Sequence, residues 1–314
     1  MKIKDLKERD VFEMPLLLAK STSGTTNAGS PYLSLTLQDA SGSIEAKLWD
    51  VKPEIAELCA TGKILKFKGQ VNLYQNALQL KIVEVSPVDE EKLDVSDFLP
   101  ASPIEIPALK AALNSIIAQI ASPLLKKTVV SLYEKYQEKL YEYPAASRNH
   151  HDYFGGLAVH IKTMADLALK VCEIYPEINS DLLLSGVLLH DLGKIEELSG
   201  PIATEYTLPG KLLGHISITY GELCKYAAQQ ALEDNEEIIL LKHMILSHHG
   251  EYEFGSPVLP LTKEAEVLSF VDNLDAKLNM IDKAVELVRP GEFSQRSFSL
   301  EGRSFYKAKG KSDE

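Results

Sequence analysis

The period of the apolar residues changes once along this 314-residue chain, near residue 100, and that change limits the folds open to it. In residues 1–88 apolar and polar residues alternate, as at Leu33, Leu35 and Leu37. Several such runs separated by Gly, Ser, Asn and Asp predict a small antiparallel barrel or sandwich. From 108 to 290 the apolar residues recur at helical spacing. The pattern therefore predicts a multidomain α+β protein in which a small β-barrel precedes an all-α helical domain.

The β part resembles an OB-fold, a five-stranded barrel with a helix between its strands. The helix is expected at 52–59, and the polar segment 21–30 is expected to be a mobile loop. Aromatic rings interleaved with lysines on one face are what single-stranded nucleic acid needs for base stacking and phosphate binding. A solvated sheet face with a few aromatic residues is the alternative. The predicted nucleic-acid-binding residues are Tyr32, Lys47, Trp49, Lys66, Lys68 and Tyr74.

Prolines and acidic residues divide the chain. The segment 89–107 is acidic and contains several prolines, which predicts an extended, solvated linker. The domains are then an OB-fold domain at 1–88, a helical domain at 108–290 and a C-terminal tail at 291–314. The tail is expected either to dock on a neighbour or to be a disordered end. The sequence is compatible with a homo-oligomer and does not fix the oligomeric state.

The net charge of −12 argues at first against a nucleic-acid partner. Residues 1–88 are nearly balanced in charge, however, so the acidic excess lies in the remainder. An acidic helical part is compatible with a polyanionic substrate if bound metal ions supply local positive charge. The three cysteines are far apart and form no CxxC motif, which suggests a reducing compartment. No run approaches the roughly 18 apolar residues of a membrane span. We therefore expect a soluble, cytoplasmic protein without a membrane partner.

Histidines and aspartates of the helical part form an ordered set of potential metal ligands. Helices are predicted at 156–174, 181–190, 214–231, 235–248 and 263–287, and helices that converge can direct such side chains to one internal point. Imidazole and carboxylate ligands together suit Mn, Fe, Co, Ni or Zn. A lone histidine or a single His-Asp pair would more often be packing or chance. The full set is His160, His190, Asp191, His215, His248, His249 and Asp272.

Several nearby residues have less certain roles. Lys194, three residues after Asp191, could contact a phosphate oxygen or could be a cation at a helix C-terminus. His150 and His151 are expected at the entrance of the site, and His243 is expected to be structural. The nucleophile-elbow, Walker A and GxGxxG motifs are absent, so acyl-transfer, P-loop and Rossmann chemistry have no support.

The ligand order resembles the H…HD…D pattern of the HD phosphohydrolase superfamily, and the added histidines resemble its binuclear members. Nearly the whole chain is similar to the YhaM family of 3′–5′ exoribonucleases, which join an N-terminal OB-fold to a C-terminal HD domain. The similar stretches include 143–146, 149–151, 155–157, 247–252, 272–276 and 303–307.

The resemblance implies metal-dependent hydrolysis, typically with manganese, of single-stranded RNA from the 3′ end to nucleoside 5′-monophosphates, and it leaves DNA open as a second substrate. It implies that two Mn²⁺ ions bind, with Co²⁺, Fe²⁺, Ni²⁺ or Zn²⁺ as alternatives. His160, His190, Asp191 and Asp272 would hold one ion, and Asp191, His215 and His248 the other. His249 would be an added ligand or a phosphate contact. With Lys194, residues His190, Asp191 and His249 are the predicted catalytic residues.

Two other functions remain open from the sequence. The same metal ligands also serve enzymes that hydrolyse nucleotides or cyclic dinucleotides, although such enzymes need no strand-binding domain. The other possible function is that of a non-catalytic nucleic-acid-binding protein whose helical part is a scaffold. A scaffold would not need every ligand position filled.

Overall fold

The computed structural model describes residues 1–75, 77–89, 93–100, 102–137, 139–147, 151–286 and 288–310. The chain forms two compact units. One contains Met1–Pro103 with Pro201–Ala203, and the other contains Ile104–Gly200 with Thr204–Glu314. Part of the predicted linker is structured, since residues 95–98 form a 3-10 helix whose Phe98 is buried.

The first unit is a closed five-stranded barrel, which confirms the OB-fold prediction. The strands follow the barrel order β1-β2-β3-β5-β4, and all pairs are antiparallel except β3 with β5. Alternation directs Leu33, Leu35 and Leu37 into the core. The elements are β1 Val11–Thr25, β2 Pro31–Asp39, β3 Gly42–Trp49, helix α1 Pro53–Leu58, β4 Ile64–Tyr74 and β5 Ala77–Pro87.

One expectation for this unit is wrong. The first half of the predicted polar loop, residues 21–25, belongs to β1 and pairs with β2, from Ser21 opposite Leu35 to Thr25 opposite Pro31. Its side chains are exposed or half-buried, so they show no alternation of apolar residues. The backbone pairing with β2 therefore decides the structure here, and a polar composition does not prevent it.

The second unit is helical, as the spacing of its apolar residues predicted. Its centre is α5, in which every residue from Leu182 to Leu189 is buried and packs among the surrounding helices. Such an all-round apolar helix belongs in a core. The helices are α2 Ile106–Gln119, α3 Pro123–Tyr136, α4 Gly156–Ile174, α5 Ser180–Leu189, α6 Lys194–Glu197, α7 Leu208–Gln229, α8 Glu236–Ser247 and α9 Lys263–Val285.

The segment after α9 folds back on itself. Isolated β-bridges join Phe293 to Tyr306 and Ser297 to Arg303, and Leu300 is buried. The part of the predicted tail that the structure describes, residues 291–310, is therefore an irregular hairpin. Among the described residues, no helix has the length and hydropathy of a membrane span.

Candidate metal centre

The buried helix α5 delivers the His-Asp pair to the interior of the helical unit. Asn179 caps its first turn by accepting a hydrogen bond from the Leu182 amide, and the helix ends directly before His190. His190 and Asp191 are 0% and 1% exposed, which is rare for charged or polar side chains without a functional partner. The apolar run thus sets where the two ligand candidates lie.

Asp191 lies at the centre of the site. Its Oδ2 atom is 3.3 Å from His190 Nε2 and 3.6 Å from His160 Nε2. Its Oδ1 atom is 3.4 Å from His215 Nε2 and 3.8 Å from His248 Nε2. Each carboxylate oxygen therefore faces a different pair of histidines, an arrangement compatible with a carboxylate shared between two metal ions.

The first group of potential ligands comprises His160, His190 and Asp272, whose ligand atoms lie within 4.8 Å of one another. His160 comes from α4 and Asp272 from α9, and their Nε2 and Oδ1 atoms are 3.2 Å apart. On its other side, His160 Nδ1 lies 2.6 Å from Asp275 Oδ2. Asp275 thereby orients the imidazole, as a carboxylate behind a ligand histidine commonly does.

The second group comprises His215, His248 and His249, again with ligand atoms within 4.8 Å of one another. His215 follows Gly214, whose φ of 72° and ψ of 156° break the helical path inside α7 and suit glycine. Glu197 then accepts hydrogen bonds from both the backbone amide and the Nδ1 atom of His215, at 3.0 and 3.1 Å. The kink and this carboxylate together fix the ring.

Main-chain carbonyls orient three of the imidazoles. The Nδ1 atom of His190 lies 2.8 Å from the Val187 carbonyl, and that of His248 lies 2.7 Å from the Ile245 carbonyl. His249 Nδ1 lies 2.6 Å from the carbonyl of Phe254. A carbonyl only accepts, so each Nδ1 carries a proton, and the Nε2 atom is the nitrogen of each ring that is left to bind a metal ion.

These residues fit a divalent metal ion. The Nε2 atoms of His190, His215 and His248 and the Oδ1 atom of Asp191 are buried, and none has a hydrogen-bond partner among the described residues. An unsatisfied buried polar atom costs about 1–3 kcal/mol, so four directed to one place call for a common partner. Bare imidazole nitrogens around a carboxylate are the donor set of Mn, Fe, Co, Ni or Zn.

The electrostatics of the two groups differ. Burial disfavours charge on His248, and His249 acts in the same direction, so the pKa of His248 lies well below its usual value. Burial also opposes charge on His160, but its hydrogen bonds to Asp272 and Asp275 outweigh that effect and raise its pKa to about 9. Despite burial, Lys194 and His190 hold the pKa of Asp191 well below its usual value. The centre therefore keeps Asp191 ionised.

Lys194 contacts the central carboxylate. Its Nζ atom lies 2.6 Å from Asp191 Oδ2, and its side chain is buried. Although burial favours the neutral amine, Asp191 and Asp272 raise the lysine pKa. The ammonium group therefore helps to orient Asp191 within the centre.

Sequence reasoning missed two residues that position ligands, Asp275 and Glu197. The signal for Asp275 was its place three residues after Asp272 on a predicted helix, which puts both on one face. His151 is buried and its Nε2 lies 2.7 Å from Asp275 Oδ2, behind His160, while His150 lies outside the described residues. His243 has a structural contact, since its Nε2 accepts the Leu261 amide at 2.9 Å.

The barrel brings three of the predicted nucleic-acid-binding residues together. Tyr32 on β2 is paired with Trp49 on β3, and their ring centroids are 5.0 Å apart. The Lys47 ammonium lies 5.1 Å from the Tyr32 ring centroid and donates to Ser34 Oγ at 2.8 Å. Trp49 is 45% exposed, so its face remains accessible.

The other predicted residues of the barrel lie elsewhere on its surface. Lys66 and Lys68 on β4 flank Glu13 of β1, at 2.5 and 3.8 Å, so part of their charge is neutralised. Tyr74 is exposed at the end of β4. Lys81, which the sequence analysis did not select, is exposed and lies opposite Lys47 in the parallel β3–β5 pair.

Comparison with known proteins gives two family matches and several relatives that are similar over most of this chain. The HD domain family matches residues 157–277, and the OB-fold nucleic acid binding domain family matches residues 19–88. Proteins named 3′–5′ exoribonuclease YhaM from Bacillus subtilis (strain 168) and Geobacillus sp. (strain WCH70) are each 47% identical over 93% of this chain, covering 93% and 90% of the relatives. The protein of that name from Bacillus pumilus (strain SAFR-032) is 46% identical over 94% of both chains.

Proposed function

Because this chain belongs to the YhaM family of 3′–5′ exoribonucleases, we propose that it shortens single-stranded RNA from the 3′ end in a metal-dependent reaction. The products are nucleoside 5′-monophosphates, and single-stranded DNA is a second substrate of the same chemistry. The observation that carries the proposal is the convergence of four histidine Nε2 atoms on the two oxygens of Asp191.

Two divalent ions, with Mn²⁺ as the expected metal, would be held by the two ligand groups. His160, His190 and Asp272 would hold one ion, and His215 and His248 the other, with Asp191 shared between them. The grouping of His249 with His215 and His248 supports it as a further ligand of the second ion. Such a pair of ions activates water and neutralises the charge that develops on a phosphoryl group.

The protein's own residues prepare this chemistry. Val187 and Ile245 carbonyls keep the rings of His190 and His248 in the tautomer that binds metal. Lys194 holds Asp191 in place and brings positive charge to a site for a polyanion. Because these groups are fixed before substrate arrives, little reorganisation is needed during the reaction.

The barrel is proposed to hold the strand. Tyr32 and Trp49 offer a stacking surface, and Lys47 and Lys81 offer cations beside it. This combination suits single strands of any sequence, because every base has a face to stack. A barrel of this kind would favour a polymeric substrate over a free nucleotide.

A labelled-strand assay tests the proposal. RNA labelled at the 5′ end is incubated with the protein and Mn²⁺, with and without chelator, and with Asp191→Ala as the inactive control. A ladder that shortens from the 3′ end, only with metal and only in the unmodified protein, is expected. Intact RNA together with turnover of a free or cyclic nucleotide would instead identify a nucleotide phosphohydrolase. Binding of RNA without any metal-dependent cleavage would identify a binding protein.

A further inference from the structure

A cleft of about 500 Å³ opens beside the metal centre, within the range of about 300–1,000 Å³ that small-molecule sites occupy. His249 and Asp272, both potential metal ligands, line the cleft. A group bound there would therefore lie next to the reacting phosphate, although none of the remaining lining residues is among the candidate metal ligands.

The floor of the cleft is one face of α9. Its lining residues there follow helical spacing, so they form one stripe that begins at the metal centre. From Asp272 to Met280 the stripe runs about 12 Å, since a helix rises about 1.5 Å per residue. Lys277 on the stripe forms no salt bridge within the part of the chain that the structure describes. The stripe residues are Ser269, Asp272, Asn273, Ala276, Lys277 and Met280.

The walls of the cleft carry two phenylalanines. Phe254 is 63% exposed, and Phe298, from the C-terminal hairpin, is fully exposed. Exposing a whole aromatic ring forgoes the stabilisation that burial would give. The Glu301 carboxylate at the same wall can accept hydrogen bonds, which suits the amino groups of bases better than phosphate.

The hairpin fixes the backbone on either side of Phe298. Leu300, two residues later, is buried, and Ser297 and Arg303 pair across the turn with a hydrogen bond of 3.0 Å from the Ser297 amide. Glu301 and Gly302 reverse the chain with φ values of 59° and 70°. The exposed ring is thus carried by a folded turn, so little backbone freedom would be lost when a ligand contacts it.

We propose that the C-terminal hairpin forms part of the substrate site and that Phe298 stacks on a base at the 3′ end of the strand. Lys277 and Asn273 on the floor then contact the phosphate and the base edge. This inference rests on the proposed exoribonuclease function. It assigns the C-terminal segment to the substrate and makes Phe298 a binding residue outside the metal centre.

The experiment measures kcat and KM for Phe298→Ala with short oligoribonucleotides whose 3′-terminal residue is either normal or abasic. With the normal strand, KM is expected to rise roughly 5- to 150-fold, which is the effect of losing one base–aromatic stack. The kcat should change little, because the metal ligands are untouched. With the abasic strand, the variant and the unmodified protein should have the same KM, since there is no terminal base to stack.

Two further variants separate stacking from a structural effect. Phe298→Tyr keeps an aromatic face and should restore the KM of the unmodified protein. Phe293→Ala removes another exposed ring of the same hairpin, one that does not line the cleft, and should leave KM unchanged.

An equal rise of KM on normal and abasic strands would show that Phe298 acts through the fold of the hairpin, and would overturn the inference. An unchanged KM on the normal strand would also overturn it, while leaving the exoribonuclease function intact. If the unmodified protein did not shorten RNA at all, the proposed function would fail, and this inference with it.

Discussion

The metal centre and the outer face of the barrel differ both in their residue types and in how their side chains are held. In the metal centre each histidine is held by a carbonyl or a carboxylate on one side and faces Asp191 or its neighbours with the other. On the barrel, the Tyr32 ring contacts Trp49 and Lys47, and all three side chains are partly exposed. The fixed imidazoles of the metal centre permit one geometry of metal binding. The partly exposed side chains of the barrel can contact a base or a phosphate in many positions. Substitutions should therefore abolish function in the first region and weaken it by degrees in the second.

The largest effect is expected from Asp191→Asn. This change removes the charge that both ligand groups share and leaves Lys194 buried without its carboxylate partner. Loss of several kcal/mol of metal-based stabilisation corresponds to a fall in kcat/KM of roughly a thousandfold or more. Metal analysis of the purified variant should show the ions reduced or lost. Full metal content with full activity would contradict the central place of Asp191.

Metal removal should lower the stability of the helical unit and leave that of the barrel unchanged. Mn²⁺ at about 100 times its dissociation constant stabilises the state that binds it by about 2.7 kcal/mol. Differential scanning calorimetry of the full chain should therefore show that the helical unit unfolds at a lower Tm with chelator than with Mn²⁺. The transition of the barrel should not move. If both transitions shifted equally, the metal would not be specific to the helical unit.

An intermediate effect is expected from Asp275→Asn, because Asp275 contacts the Nδ1 atom of His160, whereas the Nε2 atom of that ring faces Asp191. Loss of a carboxylate behind a ligand histidine costs about 10- to 100-fold in metal affinity or activity. The measurement is activity titrated with Mn²⁺. The activity of the variant should recover in part at high Mn²⁺, whereas a loss that no metal concentration relieves would point to misfolding.

The barrel should respond more weakly to Trp49→Ala. Affinity for single-stranded RNA is expected to fall by about 1–3 kcal/mol, which is the value of one base–aromatic stack. Metal content and the kcat on a very short strand should stay the same. Fluorescence anisotropy with labelled RNA measures the affinity. Unchanged affinity would remove Trp49 from the binding face.

The smallest effect is expected from Lys47→Gln, compared with Lys66→Gln. If Lys47 contacts one phosphate, its loss should lower the slope of log affinity against log salt by about 0.7 for a single strand. Lys66 is already paired with Glu13, so the matched variant should change the slope less. Equal effects of the two substitutions would mean that the whole barrel surface, rather than the Tyr32–Trp49 face, attracts RNA.

The fold was largely predictable because its two halves have different apolar periods. The predicted helix at 156–174 matches α4, and the barrel follows from the alternating runs. The end of β1 was not predictable, since residues 21–25 are polar on both faces and are a strand only through pairing with β2. Long-range pairing of this kind leaves no local signal.

The candidate ligands were predictable as residue types in order, but their supports were not. Val187 and Ile245 act through backbone carbonyls, which any residue could supply. Glu197 and Asp275 are ordinary acidic residues until the fold brings them behind His215 and His160. The division of the ligands between the two oxygens of Asp191 likewise depends on distances that spacing along the chain does not determine.

Phe254 combines two roles that can change independently. Its carbonyl fixes the tautomer of His249, and its ring lines the substrate cleft. Any amino acid at this position would keep the carbonyl, whereas only the side chain determines what the wall offers to a base. Preference for particular 3′ ends can therefore drift during evolution, or be altered by engineering at this position, without loss of the hydrolytic chemistry.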